Sequence, residues 1–347
     1  MPTSSSSQSD KSRQILFLMS QCRGIVALLI VFTIGIFLTP KNLATGHSVF
    51  LTWQTQSDIL FENVEYGLLA CGMTLVILTA GIDLSVGSVL GLIGMLFALL
   101  IIGLGCSAPV AILICLLAGL LLGGINGTLI SKFNLQPFVV TLAMMVAARG
   151  LAKMVSAYRT GTQGMKIQVG AADWYSVKEG SPPVFDWLTT RVNGLGVQPA
   201  TLLFLVGIAL MYFIVRHSAW GRKLYAIGGN EEAGRLSGIR VAQTKITTYM
   251  MCSMFAALAG VISASKAGIG DPEAGSTYEL DAIAAVVIGG TPLTGGRGGM
   301  GFTLVGVLII AYINKILSLN AVQEPSRLLA KGLIIVIAVL IQQRRKA

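Results

Sequence analysis

The sequence predicts an all-α polytopic membrane protein of about ten transmembrane helices with glycine-rich helix breaks, and three observations carry that prediction. Charge is scarce: 12 % of the 347 residues are charged and 54 % are hydrophobic, where a soluble domain carries about a quarter charged residues. The scarcity is concentrated in long uncharged runs. Lys and Arg gather at the ends of those runs, which is the bias that orients membrane proteins. The net charge of +10 therefore does not point to nucleic acid, because no basic stripe with interleaved aromatics accompanies it.

The first run, 24–40, follows Lys11, Arg13 and Arg23. A signal peptide begins this way, but no convincing small-residue cleavage site follows and further spans do, so the run reads as a retained anchor. The Ser-rich start makes 1–23 a disordered, cytoplasmic tail. Residues 84–131 hold no Asp, Glu, Lys or Arg. One crossing needs ~20 apolar residues, so this stretch crosses twice, with its break near Gly103, Gly105 and Pro109. Ten spans then fit the runs: 24–40, 65–82, 85–102, 108–130, 136–154, 198–216, 245–266, 279–293, 300–318 and 327–342.

Both ends are basic, with Arg344, Arg345 and Lys346 near the C-terminus. Two cytoplasmic termini require an even number of spans. The alternation makes 24–343 a single transmembrane domain with a cytoplasmic loop at 217–245 and a basic cytoplasmic tail at 344–347. It places Arg222, Lys223, Arg235 and Arg240 inside, and Asp58, Glu62, Asp271, Glu273 and Glu279 outside. The loop 156–197 carries basic residues outside, nearly balanced by Asp173, Glu179 and Asp186.

Glycine is abundant, at 41 residues, and Gly119, Gly123 and Gly127 recur every four residues on one face of the fourth span. Small residues let helix backbones approach in lipid, where the hydrophobic effect between helices is absent. Packing is the favoured reading over a role in solute passage. The five cysteines, Cys22, Cys71, Cys106, Cys115 and Cys252, lie in or beside apolar runs without ligand spacing. They read as small packing residues.

Three stretches carry chemistry. Around Gly81, Asp83, Ser85 and Gly87 a carboxylate stands between apolar runs, which makes it a functional candidate by default. The flanking glycines suggest a broken helix or hairpin, and Asp83 is expected to accept from the amides of Ser85 and Val86 as a cap. Contact with a solute is the alternative. The second stretch, 289–299, has too many glycines, plus Pro292, for a regular helix. It lacks the Gly-Lys-Ser/Thr ending of a phosphate loop, so no nucleotide site is expected. In the third, Asn230 reads as an N-cap, Glu231 and Glu232 fill the positive first turn, and Gly238 ends a short helix. A charged helix in a loop, bearing only Leu236 as an apolar contact, suits docking to a soluble partner.

Together these stretches resemble the ribose-type permeases of ABC sugar importers. That family shows a GGIDLSVGS-like stretch, matched at 80–88, and an Asn-Gly followed by PFxxTL and RGxA, matched by Asn126, Gly127, Pro137, Phe138, Thr141, Leu142 and residues 149–152. It also shows an AIGGNxxAAxLSGI loop, matched within 221–239 with Gly234 where alanine is usual, and an LDAIAAVVIGGT block, matched at 280–298. Ala80 and Pro292 are small departures. The resemblance covers the chain from about Leu60 onward.

It implies a type II-like ABC importer permease of ten helices in the bacterial inner membrane, paired with a second copy as a homodimer. A cytoplasmic ABC ATPase with tandem nucleotide-binding domains would hold the ATP and Mg, this chain binding no cofactor. A periplasmic sugar-binding protein would deliver a monosaccharide, ribose or a related pentose or hexose. Asn230, Glu231, Glu232, Arg235, Leu236 and Gly238 would form the coupling helix. Asp83, Ser85, Asn126, Thr141 and Thr291 would belong to the translocation core, and Asp271, Glu273 and Glu279 to the docking rim for the binding protein.

Three rivals are weighed against this. A branched-chain amino acid permease shares the broad architecture, and the wording around Asp83 argues against it. An ion-coupled secondary transporter needs several ionisable groups deep among its helices, and few are present. An intramembrane aspartyl protease would need Asp271, in a Gly-x-Gly-Asp match, and Asp83, which lacks the expected preceding tyrosine. No zinc-helix or serine-elbow motif appears.

Overall fold

The computed structural model describes residues 24–41, 46–157, 164–169, 172–177 and 182–323, with 325–327, 329 and 332–333 beyond them. The tail 1–23, the basic tail 344–347 and most of the expected tenth span, 327–342, lie outside the described residues. The chain is an all-α polytopic membrane protein. In order it forms α1 (Gly24–Leu38), α2 (Trp53–Glu62), α3 (Val64–Leu78), α4 (Val86–Ala98, continued by a π turn Leu99–Gly103), α5 (Ala108–Lys132) and α6 (Pro137–Ala157). There follow β1 (Gly164–Val169), β2 (Ala172–Val177), α7 (Pro183–Thr189), α8 (Pro199–His217), α9 (Ala219–Gly229) and α10 (Glu231–Leu236). The last elements are α11 (Val241–Ala267), β3 (Ile269–Gly270), α12 (Tyr278–Gly289) and α13 (Met300–Leu319).

Six helices among the described residues are long and apolar enough to cross a membrane, and α2 with α3, bent by 53° at their break, reach that length only when taken together. Three expected spans are shorter than the hydropathy runs suggested. α1 ends at Leu38, and α3 has 15 residues and α12 has 12, the last two about 22 and 18 Å at 1.5 Å per residue, against a hydrocarbon core of about 30 Å. Left-handed backbone positions end α3 and α12. α12 stops where Gly290 takes φ +118°, and α3 stops before Ala80 at φ +58° and the Gly81 break.

α11 is the spine of the domain, packed on α3, α4 and α5. The close approach to α5 rests on the expected stripe. A Cβ on Gly119 would meet Ala257 and the Ser253 carbonyl, one on Gly123 the Tyr249 backbone, and one on Gly127 the Cα of Ile246. Absence of those side chains lets the two backbones touch. Cys71, Cys115 and Cys252 are free and buried, as packing residues should be. A second, smaller core joins Phe50, Ile59, Ala311 and Ile316 under α1, α2 and α13.

The loop after α6 brings an element that hydropathy did not signal. β1 and β2 form an antiparallel hairpin, and β2 pairs antiparallel with β3, Tyr175 facing Gly270 and Ser176 facing Ile269. This small sheet ties the loop to the chain leaving α11. α7 follows with Phe185 and Leu188 buried, Phe185 stacking on Phe97 at 5.5 Å.

Candidate functional site: where two helix breaks meet a surface helix

The first break lies between α3 and α4. Asp83 is wholly buried, and its Oδ1 accepts from the amide of Ser85 at 2.9 Å and from the Ser85 hydroxyl at 2.6 Å. The expected cap is thus present in altered form, with the Ser85 hydroxyl in place of the Val86 amide. Asn126 of α5 donates through Nδ2 to Ser85 Oγ at 3.1 Å, and Tyr249 of α11 donates to the Ile82 carbonyl at 3.4 Å. Asp83, Ser85 and Asn126 therefore form one buried chain. Asp83 Oδ2 and Asn126 Oδ1 have no partner within it.

Thr291 closes the second break. It is buried, and its hydroxyl oxygen accepts from the amide of Gly299 at 3.2 Å, pinching the loop between α12 and α13. Thr141 does not join either group. Its hydroxyl donates to the Pro137 carbonyl of its own helix at 2.9 Å.

The two breaks converge under α9. The amide of Gly296 donates to the Leu78 carbonyl at 3.1 Å. Gly228, near the end of α9, lies on this joint: a Cβ there would run into the Leu78 carbonyl and stand 2.5 Å from the Gly296 nitrogen. Tyr225, one turn earlier, donates to the Gly298 carbonyl at 2.9 Å. Burial pushes its phenol pKa above the ordinary range. α9 is a helix that the sequence expectations do not include. Its signals are Ser218, whose side chain caps the helix by accepting from Gly221 at 3.0 Å, and the Gly228-Gly229 pair.

α10 follows at once. Asn230 is its N-cap, accepting from the Ala233 amide at 3.0 Å. The helix ends at Leu236, with Gly238 at φ +81°. The amide of Ile239 donates to Gly234 and that of Gly238 to Arg235, a Schellman ending that satisfies the last carbonyls. Glu231 pairs with Lys245 of α11 at 2.6 Å and with Arg235 at 3.5 Å. Glu232 and Arg235 are exposed, and Leu236 is 81 % exposed. Between α10 and the first break lies a cavity of about 350 Å³ lined by Thr79, Ala80, Gly81, Asn230, Lys245 and Tyr249 among others.

At the other end of α4 lie the acids expected on an outer rim. Asp271 accepts from the Glu273 amide at 2.8 Å, and Glu273 pairs with Lys153 of α6 at 2.7 Å. Glu279 departs from that expectation, because its carboxylate faces Gly87 in the first turn of α4. The chain after β3 runs back along α4 and carries Glu279 away from the rim. Asp83 and Asp271 are at opposite ends of α4, since Gly270 packs on Met95 and Ala98 while Asp83 precedes Val86. These two aspartates therefore do not form the dyad that an aspartyl protease would need.

Comparison with known proteins agrees with this arrangement. Residues 56–339 match the family described as branched-chain amino acid transport system / permease component. The chain is 37 % identical over 332 residues to the ribose import permease protein of Escherichia coli strain K12, covering 95 % of each chain. It is 41 % identical to the ribose import permease protein of Bacillus subtilis strain 168, covering 90 % of this chain and 92 % of that one. To the xylose transport system permease protein of Escherichia coli strain K12 it is 32 % identical, covering 91 % and 88 %. No solved structure matches. The chain belongs to the branched-chain amino acid transport system permease component family, as a multi-pass membrane subunit of the kind found in the ribose and xylose systems.

Proposed function

We propose that this chain is the membrane permease of an ATP-driven importer that moves a monosaccharide, ribose or a related pentose or hexose, from periplasm to cytoplasm by alternating access. The observation that carries the substrate class is the 37–41 % identity to ribose import permease proteins across nine-tenths or more of the chain. Although the family's description names branched-chain amino acids, these relatives favour sugar. The ten-span count, with both termini cytoplasmic, keeps α9 and α10 inside, where the charge bias supports it.

On this reading α10 is the coupling helix. It seats in a cleft of a cytoplasmic ATPase with tandem nucleotide-binding domains, which holds the ATP and Mg. Glu232, Arg235 and Leu236 face that partner, while Glu231 is held back by Lys245. A second copy completes the pore as a homodimer. A periplasmic binding protein delivers the sugar, and Asp271 and Glu273 are candidates for its docking rim. Of the proposed core residues, Asp83, Ser85 and Asn126 shape the first break, Thr291 the second, and Thr141 the lower part of α6.

Co-purification tests the coupling role. Leu236→Asp leaves a side chain that touches little of the fold, so the variant should insert and fold as before but lose its tagged ATPase partner. Retention of the ATPase at wild-type yield would remove α10 from the interface.

A further inference from the structure

The segment between β3 and α12 runs at a depth where irregular backbone needs an explanation. α4 serves as the ruler. Gly270 packs on Met95 and Ala98, the Pro272 and Ala274 carbonyls face Gly91, and the Gly275 carbonyl and Glu279 face Gly87. From Ala98 to Gly87 the helix drops about 16 Å at 1.5 Å per residue. Residues 271–277 form turns rather than helix over that descent, and α12 completes the crossing. Arg149, partly buried on α6, donates to the Pro272 carbonyl and, at 2.9 Å, to the Ala274 carbonyl. It thereby satisfies two carbonyls that no helix serves.

One side of this descent is open. Glu273, Ser276, Thr277 and Leu280 are exposed, as are Gly150 and Lys153 on the adjoining α6. Hydrocarbon does not accept irregular backbone or charged side chains at such depth; they persist where protein covers them or where water reaches them. Thr277 adds a further sign. It holds φ +69°, ψ −1°, a left-handed conformation that a β-branched residue rarely adopts, and such outliers cluster at functional sites.

We propose that residues 273–280, with Gly150 and Lys153 of α6, form a wall of the water-filled path through which the solute passes. The Glu273–Lys153 pair stands at its mouth. Below it, the exposed Thr277 hydroxyl and the oxygen of the Ser276 hydroxyl, whose proton goes to the Glu273 carbonyl at 2.7 Å, offer weak hydrogen bonds. A small neutral polyhydroxy solute can exchange its water for such bonds without being trapped. The solute's identity rests on the importer reading above, whereas the water path does not.

Cysteine labelling tests this with a charged, membrane-impermeant methanethiosulfonate applied from the periplasmic side. Ser276→Cys and Leu280→Cys are compared with Leu121→Cys and Val206→Cys, which face outward on apolar surfaces of α5 and α8, and with the unaltered chain as background. Thiolate forms readily only where water reaches it, so the first pair should react at least about tenfold faster than the second. Rates equal to those of the α5 and α8 positions would overturn the proposal, because lipid or the second copy would then cover the segment. In the assembled importer, trapping the ATPase with ATP and vanadate should change the Ser276→Cys rate several-fold. An unchanged rate would make the segment a static crevice and also overturn it. The first comparison needs neither ATPase nor sugar, so failure of the importer reading would show separately as absent sugar uptake.

Discussion

The amide of Gly296 donates to the carbonyl of Leu78 over 3.1 Å, which joins the end of α3 to the loop between α12 and α13. Two glycine-rich stretches far apart in sequence thereby act as one joint. Gly228 of α9 lies against both halves of it. In the proposed importer, any movement of α10 reaches the joint through α9, because the two helices are separated only by Asn230.

Gly228→Ala should therefore impair transport out of proportion to its size. Its Cβ would press on the backbone of Leu78 and Gly296, which cannot swing aside as a side chain tip would. Overpacking of this kind costs about 1–3 kcal/mol, so we expect uptake per inserted permease to fall about tenfold. Gly229→Ala is the control, since nothing lies within 4 Å of a Cβ there, and uptake should be close to wild type. Radiolabelled sugar uptake in proteoliposomes, normalised to permease content, makes the comparison.

The Glu231–Lys245 pair links α10 to α11, one turn below Tyr249 and its contact with the first break. With Glu231 40 % exposed, solvent screening leaves the pair worth about 0.5 kcal/mol. Its role is thus directional rather than stabilising. Glu231→Lys and Lys245→Glu should each weaken coupling of ATP hydrolysis to transport, and the double swap should recover part of it. ATP hydrolysed per sugar transported is the quantity to measure, and a double swap no better than either single variant would separate the two residues.

Asp83 is expected to act as a fold-forming acceptor. Asp83→Asn keeps an oxygen for the Ser85 amide and hydroxyl, so thermal stability in detergent should fall less than in Asp83→Ala. Asp83→Ala leaves the Ser85 amide buried without its acceptor and should cost about 1–3 kcal/mol, visible as a lower melting temperature. A loss of transport in Asp83→Asn with unchanged melting temperature would instead give the carboxylate a direct role in passage.

Much of this was legible in the sequence, for reasons that differ by element. Long uncharged runs fixed the existence of α4, α5, α6, α8, α11 and α13, because lipid demands apolar length. The Asn230 cap and the Gly238 stop were readable because caps obey local chemistry. The four-residue spacing of Gly119, Gly123 and Gly127 announced a packing face but not its partner, α11. What hydropathy could not resolve was how far α3 and α12 fall short of a crossing. Ala80 and Thr277 take left-handed conformations that their residue types do not advertise. The return of Glu279 to Gly87 depends on contacts between segments nearly 200 residues apart, and no local pattern encodes it. α9 was not legible because Gly221, Arg222 and Lys223 interrupt its apolar positions and its two final glycines read as a loop.

The most direct test of the account is uptake of ribose by proteoliposomes holding this chain, its ATPase and its binding protein, with and without ATP. We predict uptake that requires both partners and ATP hydrolysis, and that is lost when the α10 variant Leu236→Asp replaces the native chain. Uptake by the chain alone, driven by an ion gradient and indifferent to ATP, would contradict the importer reading.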